Sequence, residues 1–219
     1  MPKTEIKLKP KLQVIKEDEI PHILAPGELG AVLELIVSDK DGKVTEHRVQ
    51  KSESFVRQFL TMLFVEFNKV VDVSGLRIVA GNYYVRFVNF HTENLRCDGG
   101  VGVTGRGIAV GTGTTAPDID DNFLKTPIAH GTGGGRLQYS AVTFGAPASD
   151  ATISQFTITR NFANGSGADI TVNEIGLYGG AFAGGATHDC LFIRDVIAGG
   201  ILVPNGQTLT INYRIQAAV

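Results

Sequence analysis

The stretch Gln207–Gln216, Q-T-L-T-I-N-Y-R-I-Q, sets Leu209, Ile211, Tyr213 and Ile215 against Thr208, Thr210, Asn212 and Arg214 in strict alternation. A period of two places the first set on one face of an extended chain and the second on the other, whereas a helix would scatter both around its axis. One side of this strand is therefore core, and the other is wet or docked.

Outward from that strand, short segments rich in β-branched and aromatic residues recur between glycine, asparagine and proline. Strands are expected near Leu76–Val79, Tyr83–Phe90, Gly107–Gly111, Arg136–Phe144, Thr152–Phe162, Ile170–Tyr178 and Cys190–Ile197. Within Ile170–Tyr178 the apolar phase jumps from Ile170 and Val172 to Ile175 and Leu177, an odd offset that predicts a bulge near Asn173 and Glu174. Ala31–Gln50 reads as a hairpin closed at Asp41-Gly42, where glycine supplies the positive φ of a tight reversal. One helix is expected, over Ser52–Lys69: Phe55, Phe59, Leu63 and Phe67 recur every four residues beside Val56, Leu60 and Phe64, with Ser52 or Ser54 as cap. The glycines, 27 in all, cluster in 99–113, 131–135, 176–185 and 199–206 without a fixed period, which marks turns and not a solenoid.

The first 28 residues hold four of the eight prolines, Pro2, Pro10, Pro21 and Pro26, each of which removes an amide donor and disfavours helix before it. Apolar residues persist through the same segment, so it reads as an extended arm over 1–28 ahead of a β-rich domain over 29–219. Leu12, Val14, Ile15, Ile20 and Ile23 are the candidate contacts with a neighbouring subunit. The fold expected is mainly β, an antiparallel sandwich or jelly-roll-like domain with one amphipathic helix.

With 43% hydrophobic and 19% charged residues the chain can bury a core, and 20 basic against 22 acidic side chains leave a net charge of −2. That balance offers no positive field for a polyphosphate backbone, so nucleic acid is not expected as the main partner. No apolar run approaches the ~20 residues of a membrane helix and no signal-like start is seen, so a cytosolic site of synthesis is expected and no membrane partner. Cys97 and Cys190 are too few for a disulfide framework and lack the spacing of a zinc or redox pair, although a single bridge between them stays open.

Several motifs touch chemistry without completing it. Gly100-Val-Gly102-Val-Thr-Gly105 has the letters of a dinucleotide fingerprint, but a β segment follows where a helix start is needed. The runs 111–115 and 131–135 lack the lysine of a phosphate loop. Asp118, Asp120 and Asn122 alternate like the first ligands of an EF-hand, but Phe123 and Ala129 stand where glycine and glutamate belong, which leaves only a different calcium site open. His188-Asp-Cys190 is the most suggestive nucleophile cluster, yet neighbours on a strand point to opposite faces. Tyr83, Tyr84, Phe87 and Phe90 around Arg86 suit either a core or a stacking platform. Asn164-Gly-Ser166 is a formal sequon that reads as a turn. No catalytic, cofactor or metal residues are assigned.

Five stretches carry a resemblance: D-K-D-G-K-V and K-S-E-S-F-V-R-Q-F-L within 39–60, V-G-T-G-T-T-A-P-D-I-D-D-N-F-L over 110–124, P-I-A-H-G-T-G over 127–133, N-E-I-G-L-Y over 173–178, and I-R-D-V-I with V-P-N-G-Q-T-L-T-I-N-Y-R-I toward the end. In this pattern of β segments and turns, spanning most of 39–215, the chain resembles virion structural proteins of tailed bacteriophages. The resemblance implies a non-enzymatic protein of the virion, assembled in the host cytoplasm, that self-associates and docks on other virion proteins as a capsid-decorating, neck or tail component. It supplies no active-site residues. The alternative is a carbohydrate-binding receptor module of a tail fibre, meeting a host surface glycan.

Overall fold

The computed structural model describes residues 23–52, 54–68, 72–86 and 91–219. The chain is mainly β and antiparallel, with strands β1 (Leu29–Ser38), β2 (Val44–Ser52), β3 (Asp72–Ile78), β4 (Gly81–Arg86), β5 (Gly107–Gly111), β6 (Gln138–Tyr139), β7 (Thr143–Phe144), β8 (Ala148–Ser149), β9 (Ile153–Ala163), β10 (Ile170–Ala183), β11 (Ala186–Val203) and β12 (Thr208–Ala218), and helix α1 (Arg57–Asn68). The large sheet runs β2-β1-β12-β9-β6, with β7 and β8 also pairing β9. A second sheet runs β11-β10-β5, and β3 with β4 makes a separate ribbon.

The alternation in β12 orients the large sheet as expected: Leu209, Ile211 and Tyr213 are fully buried and join Ala31, Leu33, Leu35 and Val37 of β1 in one core. From the smaller sheet Ile108, Val110, Ile175, Leu177, Leu191 and Ile193 enter the same core, which is the arrangement of a sandwich. On the opposite side of the large sheet Leu24, Val32 and Ala218 form a small cluster with Ile23 and Val49 against it. Ile23 thus packs on its own chain. Leu12, Val14, Ile15 and Ile20, with the rest of 1–22, lie outside the described residues.

The hairpin closes as the sequence indicates: Gly42 takes φ 79°, and one Asp39 carboxylate oxygen accepts the amides of Asp41 and Lys43 at 3.0 and 2.9 Å. The irregularity expected near Asn173–Glu174 is present, but the extra residues sit on the opposite strand. Register jumps from Val172↔Ile201 to Glu174↔Val196, so 197–200 of β11 bow out, with Gly199 and Gly200 at φ 75° and 64°. A second shift at Leu177/Tyr178 leaves Phe192 without an opposite residue. The Phe192 ring then lies on Gly179, where a Cβ would stand 1.9 Å from it, so that glycine is required by close approach.

Three expectations are corrected. The helix begins at Arg57, five residues later than read, because Lys51 and Ser52 finish β2 and Phe55 bridges Ile193 of β11. Ser52 and Ser54 are therefore outside α1, and the amides of Val56 and Arg57 donate to Phe192 and Ile119 carbonyls at 2.9 Å each. Nor does the every-fourth-residue stripe form the buried face. Gln58, Met62 and Val65 are buried, whereas Phe67 is 83% exposed, since each step of four advances about 40° around a helix of 3.6 residues per turn. The strand expected over Arg136–Phe144 survives only as β6 and β7. No helix among the described residues is long and apolar enough to cross a membrane.

Candidate functional site

Two buried guanidinium groups organise the loops 99–108 and 112–127. Arg194, on β11, is fully buried and donates from Nε to Glu174 Oε2 at 3.0 Å and from Nη1 to Asp121 Oδ2 at 2.9 Å. Its remaining donors reach the carbonyls of Thr115 at 2.9 Å and Ala116 at 3.3 Å. Glu174, on β10 and equally buried, accepts the amides of Gly113 (3.2 Å), Lys125 (3.0 Å) and Thr126 (2.6 Å). Residues 112–127 are thereby bolted to the smaller sheet from inside. A buried ion pair repays its desolvation only when the remaining donors and acceptors are also satisfied, and here they are. Gly111 and Gly113 belong to the same design, because a Cβ at either would come within 2.5 Å of the Glu174 carboxylate.

Asp121 ties this loop to the helix. Its carboxylate accepts the Asp118 amide at 2.9 Å and meets Lys125 Nζ at 2.5 Å, and its carbonyl accepts from buried Gln58 Nε2 at 2.8 Å. Burial alone raises the Asp121 pKa, but Lys125, the Asp118 amide and Arg194 outweigh it and hold the carboxyl below its ordinary range. Glu34 on the outer side of the large sheet behaves alike: burial raises it, and bonds from Asn212 (2.8 Å), Arg214 (2.7 Å) and His47 (2.9 Å) bring it down. A carboxyl depressed in the folded state contributes stability that is present above the unfolded pKa and is lost as pH falls through the folded one. Thermal stability is therefore expected to decline as the pH drops below about 4, and Asp121→Asn to flatten part of that slope, as melting curves across pH 2–7 will show.

Arg160, from β9, holds the neighbouring loop. It is 1% exposed, and its guanidinium donates to the carbonyls of Ser140, Arg106, Ile108, Gly100 and Val103 at 2.7–3.0 Å while lying 4.9 Å from the Tyr139 ring centroid. Desolvation lowers its pKa to about 10, which still leaves it charged at neutral pH. The glycine run 99–107 is thus wound around a cation of this chain, and a Cβ at Gly99 would meet the Arg106 carbonyl at 2.2 Å.

The other sequence candidates are placed apart. Asp118 Oδ1 accepts the Asp120 amide at 2.8 Å, Asp120 pairs with Arg57 at 2.8 Å, and Asn122 Nδ2 donates to the Ile78 carbonyl at 3.0 Å. Each of the three is thus engaged with a partner of its own, and among the described residues no group of three or more His, Cys, Asp or Glu side chains could hold a metal ion. Cys97 and Cys190 are free and buried, and burial raises both thiols to about 12, far from a nucleophilic thiolate. The ring of His188 meets the Ala183 carbonyl at 3.2 Å. His130 Nδ1 accepts the Tyr139 amide at 3.0 Å, and His91 stacks on Phe182 at 3.7 Å. Asn164 is buried, with Nδ2 on the Ala168 and Val203 carbonyls, and so is part of a turn. The side chains of Tyr83, Tyr84, Arg86, Phe87 and Phe90 lie outside those described.

Two apolar patches reach the surface near these loops and on the helix. Leu60, Phe64 and Phe67, at i, i+4 and i+7 of α1, are 61%, 51% and 83% exposed. Beside the 112–127 loop, Phe123, Val79, Thr104 and Lys125 surround a depression of about 460 Å³ floored by Tyr139 and Tyr178. Both tyrosine hydroxyls are engaged: Tyr139 donates to the Ile128 carbonyl at 2.6 Å, and Tyr178 accepts the Leu124 amide at 2.7 Å. Sequence reading passed over Arg160, Glu174 and Arg194, although each is an ionisable residue among strand apolars, and Arg160 keeps step with core-facing Ile158 and Phe162. No protein family, curated protein or solved structure matches the chain.

Proposed function

We propose that this chain is a non-enzymatic subunit of a tailed-bacteriophage particle, a capsid-decorating, neck or tail component that binds copies of itself and docks on other virion proteins. The observation that carries the self-association is the outer face of α1. Leu60, Phe64 and Phe67 form an apolar stripe, and the charged side chains described beside it are paired within the chain, Arg57 with Asp120 and Glu66 accepting from Asn94 Nδ2. Two such stripes related by a two-fold axis are self-complementary, so a second copy of the chain is the occupant. A 12-residue helix is only about 18 Å long, and a stable interface needs roughly 1,200–2,000 Å². The helix pair therefore requires help, and the segment ahead of Ile23 supplies it through Leu12, Val14, Ile15 and Ile20.

The test combines sedimentation of the purified chain with quantitative mass spectrometry of purified particles. Oligomers are expected for the wild type and monomers for Phe64→Glu, with the circular-dichroism spectrum retained. Deletion of 1–22 is expected to block incorporation into particles. A wild-type monomer that no particle contains would overturn the reading.

A second reading, a tail-fibre module for a host surface glycan, draws on the depression at Phe123, Thr104 and Lys125, where an exposed ring sits 5.4 Å from a cation. A glycan array with the Phe123→Ala variant as control separates the two, because an architectural subunit retains no sugar.

A further inference from the structure

We propose that the open edge of the sandwich is a binding slot for an uncharged hydrocarbon chain of roughly ten carbons. Between the sheets lies a cavity of about 260 Å³. One wall comes from the large sheet, with Phe144, Phe156, Ile158 and Ile215, and the other from the smaller sheet with Leu177, Phe192 and Ile193, from Phe55 just ahead of the helix and from Phe59 within it. Leu95 and Cys97 line it further. Phe156 shares the core-facing phase of β9 with buried Ile158 yet is 37% exposed, and Phe144 is 50% exposed, which shows where the slot opens.

The chemistry of the walls selects the ligand. Every lining side chain is apolar apart from the Cys97 thiol, which donates to the Leu95 carbonyl at 3.4 Å. Water needs two to four polar partners to remain in such a space, whereas apolar cavities stay dry and accept hydrocarbons. An engineered cavity of ~150 Å³ admits a six-carbon ring, so 260 Å³ corresponds to roughly ten carbons.

Hydrogen bonding at the mouth excludes a peptide strand as occupant. The edge of β9 is already paired there by β7 and β8. On the β11 side the Phe192 carbonyl accepts from Val56 and the Arg194 amide donates to Ser54. Among the described residues, the β9 and β11 backbone groups named here are thus already taken by this chain, and a hydrocarbon requires none. Leu95 adds an independent sign: it is the one non-glycine described residue at positive φ, 60°, held by its amide on the Gly180 carbonyl at 2.9 Å. Strain of that kind is retained where the surrounding structure imposes a side-chain position, and here the side chain lines the slot.

The proposal stands whether or not the chain assembles, and it is tested on the full-length protein with 1-hexanol, 1-octanol, 1-decanol and 1-dodecanol. Calorimetry is expected to show one saturable site whose affinity rises about fourfold per methylene up to decanol and then levels. Methyl signals of Ile158, Leu177, Ile193 and Ile215 are expected to shift on titration. Leu95→Trp and Ile215→Phe fill the slot from two positions, and each is expected to weaken decanol binding at least tenfold. If either variant fails to fold, the wild-type methyl map and the chain-length break decide alone. Absence of saturable binding, affinity that keeps rising past decanol, or methyl shifts confined to other parts of the molecule would overturn it.

Discussion

Arg194→Ala is expected to lower the unfolding free energy by about 3–5 kcal/mol, the cost of leaving a buried charge without its partner. For a domain of this size that corresponds to a fall of roughly 6–20 °C in Tm. The cause is specific: the substitution leaves Glu174, 0% exposed at the side chain, without a cation, takes from Asp121, 2% exposed, one of its two cations while Lys125 remains, and frees the carbonyls of Thr115 and Ala116. Arg194→Lys keeps the charge on three donors but loses the planar fork that serves both acids at once, so an intermediate loss is expected. Glu174→Gln preserves shape, leaves Asp121 opposite the guanidinium, and is expected to cost less than Arg194→Ala. Thermal and urea unfolding followed by circular dichroism measure all three. A change below about 0.5 kcal/mol for Arg194→Ala, the range of ordinary surface substitutions, would show that the 112–127 loop is held by something else.

Arg160→Ala is expected to be of similar size, on the order of 4 kcal/mol, because bonds to a charged donor are each worth about 1.5–3 kcal/mol and several carbonyls lose theirs together. Its signature differs from that of Arg194→Ala. Arg160 accounts for contacts with Gly100, Val103, Arg106 and Ile108, so amide exchange is expected to accelerate over 99–108 before the rest of the sandwich opens. Arg160→Lys cannot span five acceptors and is expected to recover only part of the loss. Uniform acceleration across the chain, with no early opening of 99–108, would mean that the guanidinium serves the core as a whole and does not wind this loop.

These two residues also show where sequence reading stopped. Arg160 and Arg194 stand in β9 and β11, and their phase relative to Ile158, Phe162 and Ile193 was open to inspection. What they hold was not, because the acceptors of Arg160 lie 20 to 60 residues away in sequence and those of Arg194 lie 20 to 79. The helix offers the reverse case. A recurrence of four in Phe55, Phe59, Leu63 and Phe67 is a sound signal of helix, but which side faces β11 depends on the bridge between Phe55 and Ile193 and on the contact of Phe59 with Phe192 at 5.8 Å between ring centroids. That geometry turns Leu60, Phe64 and Phe67 outward.

The alternation of Leu209, Ile211, Tyr213 and Ile215, the Asp41-Gly42 reversal and the broken phase beyond Val172 determined, from residues in direct succession, that this is a β protein with a hairpin and an irregular strand. Neighbours in sequence can dictate those features because the pleat and the tight turn are properties of a few consecutive dihedrals. Only the tertiary structure decided that β11 and not β10 carries the extra residues, that Glu174, Arg194 and Asp121 meet, and that a slot stays open between Phe156 and Phe59. Each of these depends on side chains brought together across the chain, where desolvation and packing act on distances in space and not on order along the backbone.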